Sequence, residues 1–136
     1  MTNSRLARSY LEKAKARLDI LEILFDKRAY SDVVREAQEV VELALKGMLR
    51  QVGIEPPKFH DVGGLLLENS EFFTEEVRST LERLAEISSW LRKERELSFY
   101  GDIDFIPTEK YTGEDARKGI EEAKFVVEIA EKVISG

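Results

Sequence analysis

The residues best suited to chemistry lie in one short run, RKERELSFYGD, from Arg92 to Asp102. Arg92, Lys93 and Arg95 supply positive charge, Ser98 a hydroxyl, and Tyr100 an aromatic face with a phenol. Guanidinium groups grip phosphate oxygens in pairs and an aromatic ring stacks on a nucleobase. Arg92, Arg95, Ser98 and Tyr100 therefore form a candidate set for binding a nucleotide or RNA. The basic residues also admit a plainer reading, in which they complement the carbonyl end of a helix dipole.

Other combinations fall short of a site. His60 is the sole histidine, and the His60–Asp61 pair lacks the further histidines with which metal-dependent phosphohydrolases hold an ion. Asp61 reads instead as a helix N-cap. Asp102 and Asp104, spaced D-x-D, follow a helix and read as solvated loop carboxylates. Gly63 and Gly64 lack the lysine and the preceding strand of a phosphate-cradling loop. Ser98, His60 and an aspartate could be written as a triad, but nothing in the sequence brings them together. Neither a metal nor another cofactor is expected.

A formal net charge of -6 repels phosphates at long range, so nucleic-acid binding has to use a local basic patch. Cysteine is absent, which removes disulfides, thiolate metal sites and cysteine nucleophiles and makes a reducing cytoplasm the expected compartment. The start, MTNSRLARSYLEKAK, is charged throughout and shows neither a signal peptide nor a membrane span. With 136 residues the chain is expected to form a single domain over 1–136. A charged fraction of 35% with few Asn, Gln or Cys is a thermophile-like balance.

The elements that must position these residues are helices. Apolar residues recur at helical spacing in four segments, and none alternates with period two long enough for a strand. The first helix runs from about Ser4 to Phe25, with Leu6, Tyr10, Ala14, Leu18, Leu21 and Phe25 near one stripe. The second follows Ser31 as N-cap and carries Val33, Ala37, Val40, Val41, Ala44, Met48 and Val52 before Gly53 stops it. Glu42 and Lys46 lie four apart on it in the favourable order.

Two prolines break the chain between Gly53 and Pro57, after which Asp61 caps a short helix through Leu67. A long helix then spans about Thr74 to Leu97, with Val77, Leu81, Leu84, Ser88 and Leu91 inward, and Gly101 closes it. GDIDFIPTEKY is long for a bundle connection, and long ordered loops are often functional. Thr112 and Asp115 resemble a capping box ahead of a final helix carrying Ala116, Ile120, Ala123, Val127, Ala130 and Ile134. The expected fold is an all-α, antiparallel, up-and-down bundle of four to five helices.

Two segments, taken together, resemble the HEPN-domain family. REAQEVVELALKGMLRQVGIEPPKFHDVGGLL is similar to that family's helix ending in a Leu-Lys pair and a glycine, followed by a His-Asp turn and a leucine-rich helix. The corresponding residues are Leu45, Lys46, Gly53, His60, Asp61, Leu65 and Leu66. LRKERELSFYGD, followed by YTGEDARKGIEEAKFVV, is similar to the family's basic helix end, Tyr-Gly, Tyr-Thr and Ala-rich last helix. The resemblance covers nearly the whole chain and implies a helical bundle that commonly dimerises.

Many members resemble metal-independent ribonucleases, with an arginine, four to six residues, a histidine, and often a tyrosine two further on. Cleavage without a metal needs a group that exchanges protons near neutral pH and a cation against the phosphorane charge. Laid on this chain, the arginine falls on Arg92, the tyrosine on Tyr100 and the histidine position on Ser98. A serine hydroxyl cannot replace imidazole as a base, so the pattern implies binding without cleavage, and a histidine at 98 would be expected to restore some cleavage.

The leading expectation is thus a nucleotide- or RNA-binding regulatory module acting with a minimal nucleotidyltransferase partner, in a toxin–antitoxin pair. The alternative is a metal-independent ribonuclease using Arg92, Arg95, Ser98 and Tyr100. A scaffolding dimer is the third. A homodimer is expected because Phe72, Phe73, Trp90, Phe99, Phe105 and Ile106 exceed what one core readily covers.

Overall fold

The computed structural model describes residues 2–56, 58 and 61–134, apart from the side chains of Thr2, Glu96 and Phe99. Its helices are α1 (Thr2–Asp26), α2 (Tyr30–Gln51), α3 (Val62–Glu68), α4 (Glu75–Arg78), α5 (Leu81–Phe99), α6 (Pro107–Lys110) and α7 (Gly113–Val133). A 3-10 turn covers Ser70–Phe72. Among the described residues no strand forms, and one isolated bridge joins Asp102 to Phe105. The chain is all-α, as its periodicity predicts.

Contacts across the four long helices give the topology. A methyl placed on Gly47 of α2 would lie 3.3 Å from both the Ala7 carbonyl and Tyr10, so the start of α1 meets the end of α2. Lys15 pairs with Glu131 at 3.0 Å and Arg117 with Glu22 at 3.1 Å, which sets α7 antiparallel to α1. Arg83 lies 3.8 Å over the Phe125 ring and Lys118 4.2 Å over Trp90, so α5 also runs antiparallel to α7. The resulting order is up-and-down, with α2 and α7 parallel across the diagonal. Gly119 fits there against Ala37, where small residues let the two backbones approach.

The central helix is α2, which packs on α1, α5 and α7. Its Val33, Val34, Ala37, Val40, Val41, Ala44, Leu45, Met48 and Leu49 are all buried, since apolar residues cover most of its circumference. On α1 the buried line is Ala7, Leu11, Ala14 and Leu21, a slight rotation from the expected stripe. Small Ala7 takes the centre because α1 approaches glycine at Gly47, which displaces Leu6 and Tyr10 to the margin.

Helix boundaries follow local chemistry, with three departures from expectation. Ser31 is not the N-cap of α2: it lies inside the first turn and is buried, while Ala29 occupies the cap without a side-chain bond. The α1–α2 turn closes through its backbone instead. Arg28 adopts φ 61°, and the Ala29 and Arg28 amides donate to Leu24 and Phe25 carbonyls, each at 2.9 Å. The same paired pattern ends α2 as expected, where Gly53 (φ 84°) and Ile54 donate to Arg50 and Leu49.

The long helix expected from Thr74 is divided. Thr74 caps only α4, and the Ser79 and Thr80 hydroxyls donate to the Glu76 and Val77 carbonyls, competing with helix continuation before α5 begins. Val77, Leu81, Leu84, Ser88 and Leu91 are nonetheless all buried. In the connection after α5, α6 forms where the sequence suggested only loop. The Asp61 cap, the Thr112–Asp115 capping box and the Glu42–Lys46 pair at 3.5 Å are present.

Most of the aromatics expected on an exposed face are covered. Phe73 is buried, Trp90 and Phe105 pack partly into the core, and the Phe99 side chain lies outside the described residues. Phe72 and Ile106 do remain exposed, joined by Ile20, Ile23 and Ile103.

Candidate functional site

Arg92 and Arg95 sit three residues apart on α5, on the face turned toward the outer strip of α2. That strip contributes Arg35, and Tyr100 follows directly beyond α5. Among the described residues, Arg35, Arg92, Arg95 and Tyr100 line a cleft of about 390 Å³. This is within the size range of small-molecule pockets, about 300–1,000 Å³. The dipole reading of the basic cluster does not hold, because the last turn of α5 contains no basic residue.

Carboxylates hold the guanidinium groups. Arg95 donates through Nη2 to Glu39 at 3.0 Å and approaches Glu42 at 3.9 Å. Arg92 pairs through Nη1 with Asp61 at 3.4 Å, and Arg35 with Glu36 at 3.2 Å. Glu42 is steadied in turn by Lys46 and by the buried Gln38, whose amide donates at 3.1 Å. The Arg92 and Arg95 side chains are 45% and 43% exposed, so these pairs are worth about 0–1 kcal/mol each. The Arg92 and Arg95 guanidinium groups each carry five N–H donors in a planar fork, the geometry that suits a phosphate oxyanion, and the carboxylates hold them in place.

Asp61 joins the two segments that carry the family resemblance. Its Oδ1 caps α3 by accepting from the Gly63 amide at 3.1 Å and also faces Arg92. Gly63 is required for packing, since a Cβ there would lie 2.7 Å from the Ala85 Cα of α5. The α3 helix can therefore lie close on α5 and bring Asp61 to the cleft.

Ser98 requires a correction to the candidate set. It is fully buried, and its hydroxyl donates to the Arg95 carbonyl at 2.9 Å, one turn back on its own helix. Leu84, Leu91 and Ser98 are spaced by seven and all face the core, so Ser98 belongs to the packing stripe and not to the cleft wall. That spacing was legible in the sequence. Lys93 is exposed and does not line the cleft.

Tyr100 is 75% exposed, and the connection behind it is firmly fixed. Gly101 has φ 73°, and a Cβ there would come 2.5 Å from the Phe105 carbonyl oxygen. Asp102 and Phe105 exchange backbone bonds at 2.9 and 3.0 Å, and Phe105 packs edge-on against Tyr111. The Tyr111 hydroxyl donates to Glu94 of α5 at 2.7 Å. Burial first, then that bond and the Glu94 charge, push its phenol well above the usual tyrosine range.

The remaining candidates do not converge on the cleft. Asp102 and Asp104 are exposed in the turn, and the Asp102 carboxylate accepts from the Ile103 amide. Among the described residues no group of three His, Asp or Glu side chains is arranged to hold a metal ion. His60 lies outside the described residues. Arg35 escaped the sequence reading because, although it opens the segment that resembles the family, it is not among the residues matched there. Its one signal is position, four and seven residues before Glu39 and Glu42 on the same helical strip.

Fold and site together define an antiparallel helical bundle with an arginine-lined cleft between α2 and α5. The HEPN domain matches residues 7–133, and the chain belongs to the HEPN domain family. It is 24% identical over 134 residues to "Putative toxin MJ1304" of Methanocaldococcus jannaschii, covering 93% of this chain and 87% of that protein. The crystal structure of ST0689, an archaeal HEPN homologue, superposes with a TM-score of 0.68 at 22% identity, covering 95% of this chain and 98% of that one. That likeness concerns the fold. Among the described residues, no helix is long and apolar enough to cross a membrane.

Proposed function

We propose that this chain is a HEPN module that binds a nucleotide or RNA in the α2–α5 cleft and regulates a partner, without cleaving RNA itself. The observation that carries the reading is the convergence of Arg35, Arg92, Arg95 and Tyr100 on one cleft while residue 98, at the histidine position, is a buried serine. Arginines supply phosphate contacts and Tyr100 a stacking face. The proton-exchanging group that metal-free cleavage needs is not supplied by Ser98.

The biological setting we propose is a toxin–antitoxin pair in the cytoplasm, in which the chain acts as one domain beside a minimal nucleotidyltransferase. The name of the Methanocaldococcus jannaschii relative supports the toxin side, and the family resemblance supports the partner. A homodimer is part of the same proposal, with exposed Ile20, Ile23, Phe72 and Ile106 as the apolar surface available to it.

The test has two readouts. Purified protein in chelator should leave RNA intact, while binding of a nucleotide or RNA should fall in Arg92→Ala and Arg95→Ala. Chelator-resistant cleavage abolished by Arg92→Ala would replace this proposal with the ribonuclease reading. Affinity capture from the native cell followed by mass spectrometry should recover a nucleotidyltransferase. Sedimentation should show a dimer at micromolar protein.

A further inference from the structure

Away from the arginine cleft, Phe72 is the most exposed aromatic side chain among the described residues, at 55%. Its neighbour Phe73 is buried, so the chain here turns one ring into the core and the other outward. Arg78 of α4 fixes that arrangement. Its Nε and Nη2 donate to the Ser70 and Phe73 carbonyls at 3.2 and 2.9 Å, and its Nη1 to Glu75 at 3.2 Å. The turn is clamped on both sides of Phe72, which holds the ring at the surface before any partner arrives.

The Phe72 ring borders a cavity of about 230 Å³, lined chiefly by Val52, Phe72, Phe73, Val77, Lys132 and Val133. That volume is below the range of about 300–1,000 Å³ for small-molecule sites and suits one large apolar side chain presented by a protein. The cavity takes Gln51 from the end of α2, whereas the cleft takes Arg35 from its start. At ~1.5 Å per residue the two positions are about 24 Å apart along the helix, so the cavity is separate from the cleft.

Charge decides the occupant. The segment carrying Phe72 exposes Glu68, Glu71, Glu75 and Glu76. Arg78 pairs with Glu75 at 3.2 Å and Lys132 with Glu76 at 2.8 Å, which leaves the Glu68 and Glu71 carboxylates without an ion-pair partner among the described residues. Cationic side chains are drawn to this surface, while nucleic acid and anionic lipid are repelled. A second copy of the chain, with the same carboxylates and a net charge of -6, is a poor fit for the same reason.

We infer that Phe72 and its cavity dock a partner protein through a basic segment, in which one large apolar side chain enters the cavity and flanking Lys or Arg side chains meet Glu68 and Glu71. The contact leaves Ile20, Ile23 and Ile106 to the homodimer, and Ile20 lies beside Asp32 and Arg35 near the start of α2. It gives the proposed partner a surface and stands apart from nucleotide binding in the cleft.

The probe is a random dodecapeptide phage library, panned on the immobilised full chain at about 0.1 M salt. Selected peptides should carry one large apolar residue flanked by Lys or Arg. The leading peptide, synthesised and titrated, should lose at least about tenfold in affinity for Phe72→Ala and about threefold for Glu68→Gln/Glu71→Gln, with both variants folded by circular dichroism. Its binding to Arg95→Ala should match that of the unaltered protein.

No enrichment, or enrichment of acidic or uncharged peptides, would overturn the inference. So would an affinity that Phe72→Ala leaves unchanged. A loss confined to Arg95→Ala would assign the peptide to the arginine cleft and overturn it while leaving that cleft a binding site. If Phe72→Ala converts a dimer to a monomer in sedimentation, the cavity is a contact between copies and the inference fails.

Discussion

Ser98→His separates a buried residue from a member of the cleft wall. The native serine is fully buried, with its hydroxyl tied to the Arg95 carbonyl. Imidazole is larger by a ring, and overpacking a filled core costs about 1–3 kcal/mol. An imidazole nitrogen buried without a partner costs about 1–3 kcal/mol more. A central loss of ~4 kcal/mol follows. At ~2.1 cal/mol/K per residue, a chain of 136 residues unfolds with an entropy of ~0.29 kcal/mol/K, so the melting temperature should fall by about 14 °C. Ser98→Ala, which loses only one bond within its own helix, should stay within ~1 kcal/mol of the unaltered protein. Thermal unfolding followed by circular dichroism measures both, and RNA cleavage in chelator is assayed on the same samples. The reasoning is refuted if Ser98→His melts at the native temperature and cleaves RNA in an Arg92-dependent manner, because residue 98 would then reach the cleft.

Three other substitutions probe the frame around the site. Arg28→Gly should stabilise the protein by about 1 kcal/mol, raising the melting temperature by about 3 °C, because glycine adopts φ 61° without the Cβ penalty. Gly101→Ala should destabilise by about 2–3 kcal/mol in denaturant unfolding, since a Cβ would meet the Phe105 carbonyl and the Pro107 ring, and it should also weaken nucleotide binding by displacing Tyr100. The Tyr111 phenol has a folded-state pKa raised above the ordinary value of about 10, so its contribution is complete below about pH 10 and is lost as the pH rises beyond it. Unfolding measured between pH 8 and pH 11 should therefore show a steeper alkaline loss for the native protein than for Tyr111→Phe.

Much of the fold was written in local pattern. The seven-residue spacing on α5, the apolar circumference of α2 and the Thr112–Asp115 box each depend on neighbours within a turn or two, so they could be read without knowing the partners. The errors came where the backbone did the work. Ser31 looked like a cap, but the turn closes through Arg28 in the left-handed region and draws Ser31 into the helix. Ser79 and Thr80 are ordinary in composition, yet their hydroxyls compete for carbonyls and divide a helix that periodicity alone would continue.

The lining of the α2–α5 cleft was legible in part. Arg92, Arg95 and Tyr100, which line one cleft, could be grouped from the sequence because they share one segment, whereas Arg35 joins them, and Glu39 and Asp61 pair with Arg95 and Arg92, only through tertiary packing. Ser98 was assigned from a family pattern, against the heptad stripe of Leu84 and Leu91 that placed it inward. Periodicity outweighed the motif at that position because a helix has one orientation relative to its core, whatever its sequence resembles.

The central claim is that ligand phosphate enters between α2 and α5, and the most direct test is an NMR titration of arginine Nε–Hε signals, with backbone amides, as ADP is added in chelator. Saturable shifts should concentrate on Arg35, Arg92, Arg95 and the Tyr100 amide, and the Arg95→Ala variant should lose them. Shifts confined to other arginines such as Arg83 and Arg117, or unchanged binding by Arg95→Ala, would contradict the account.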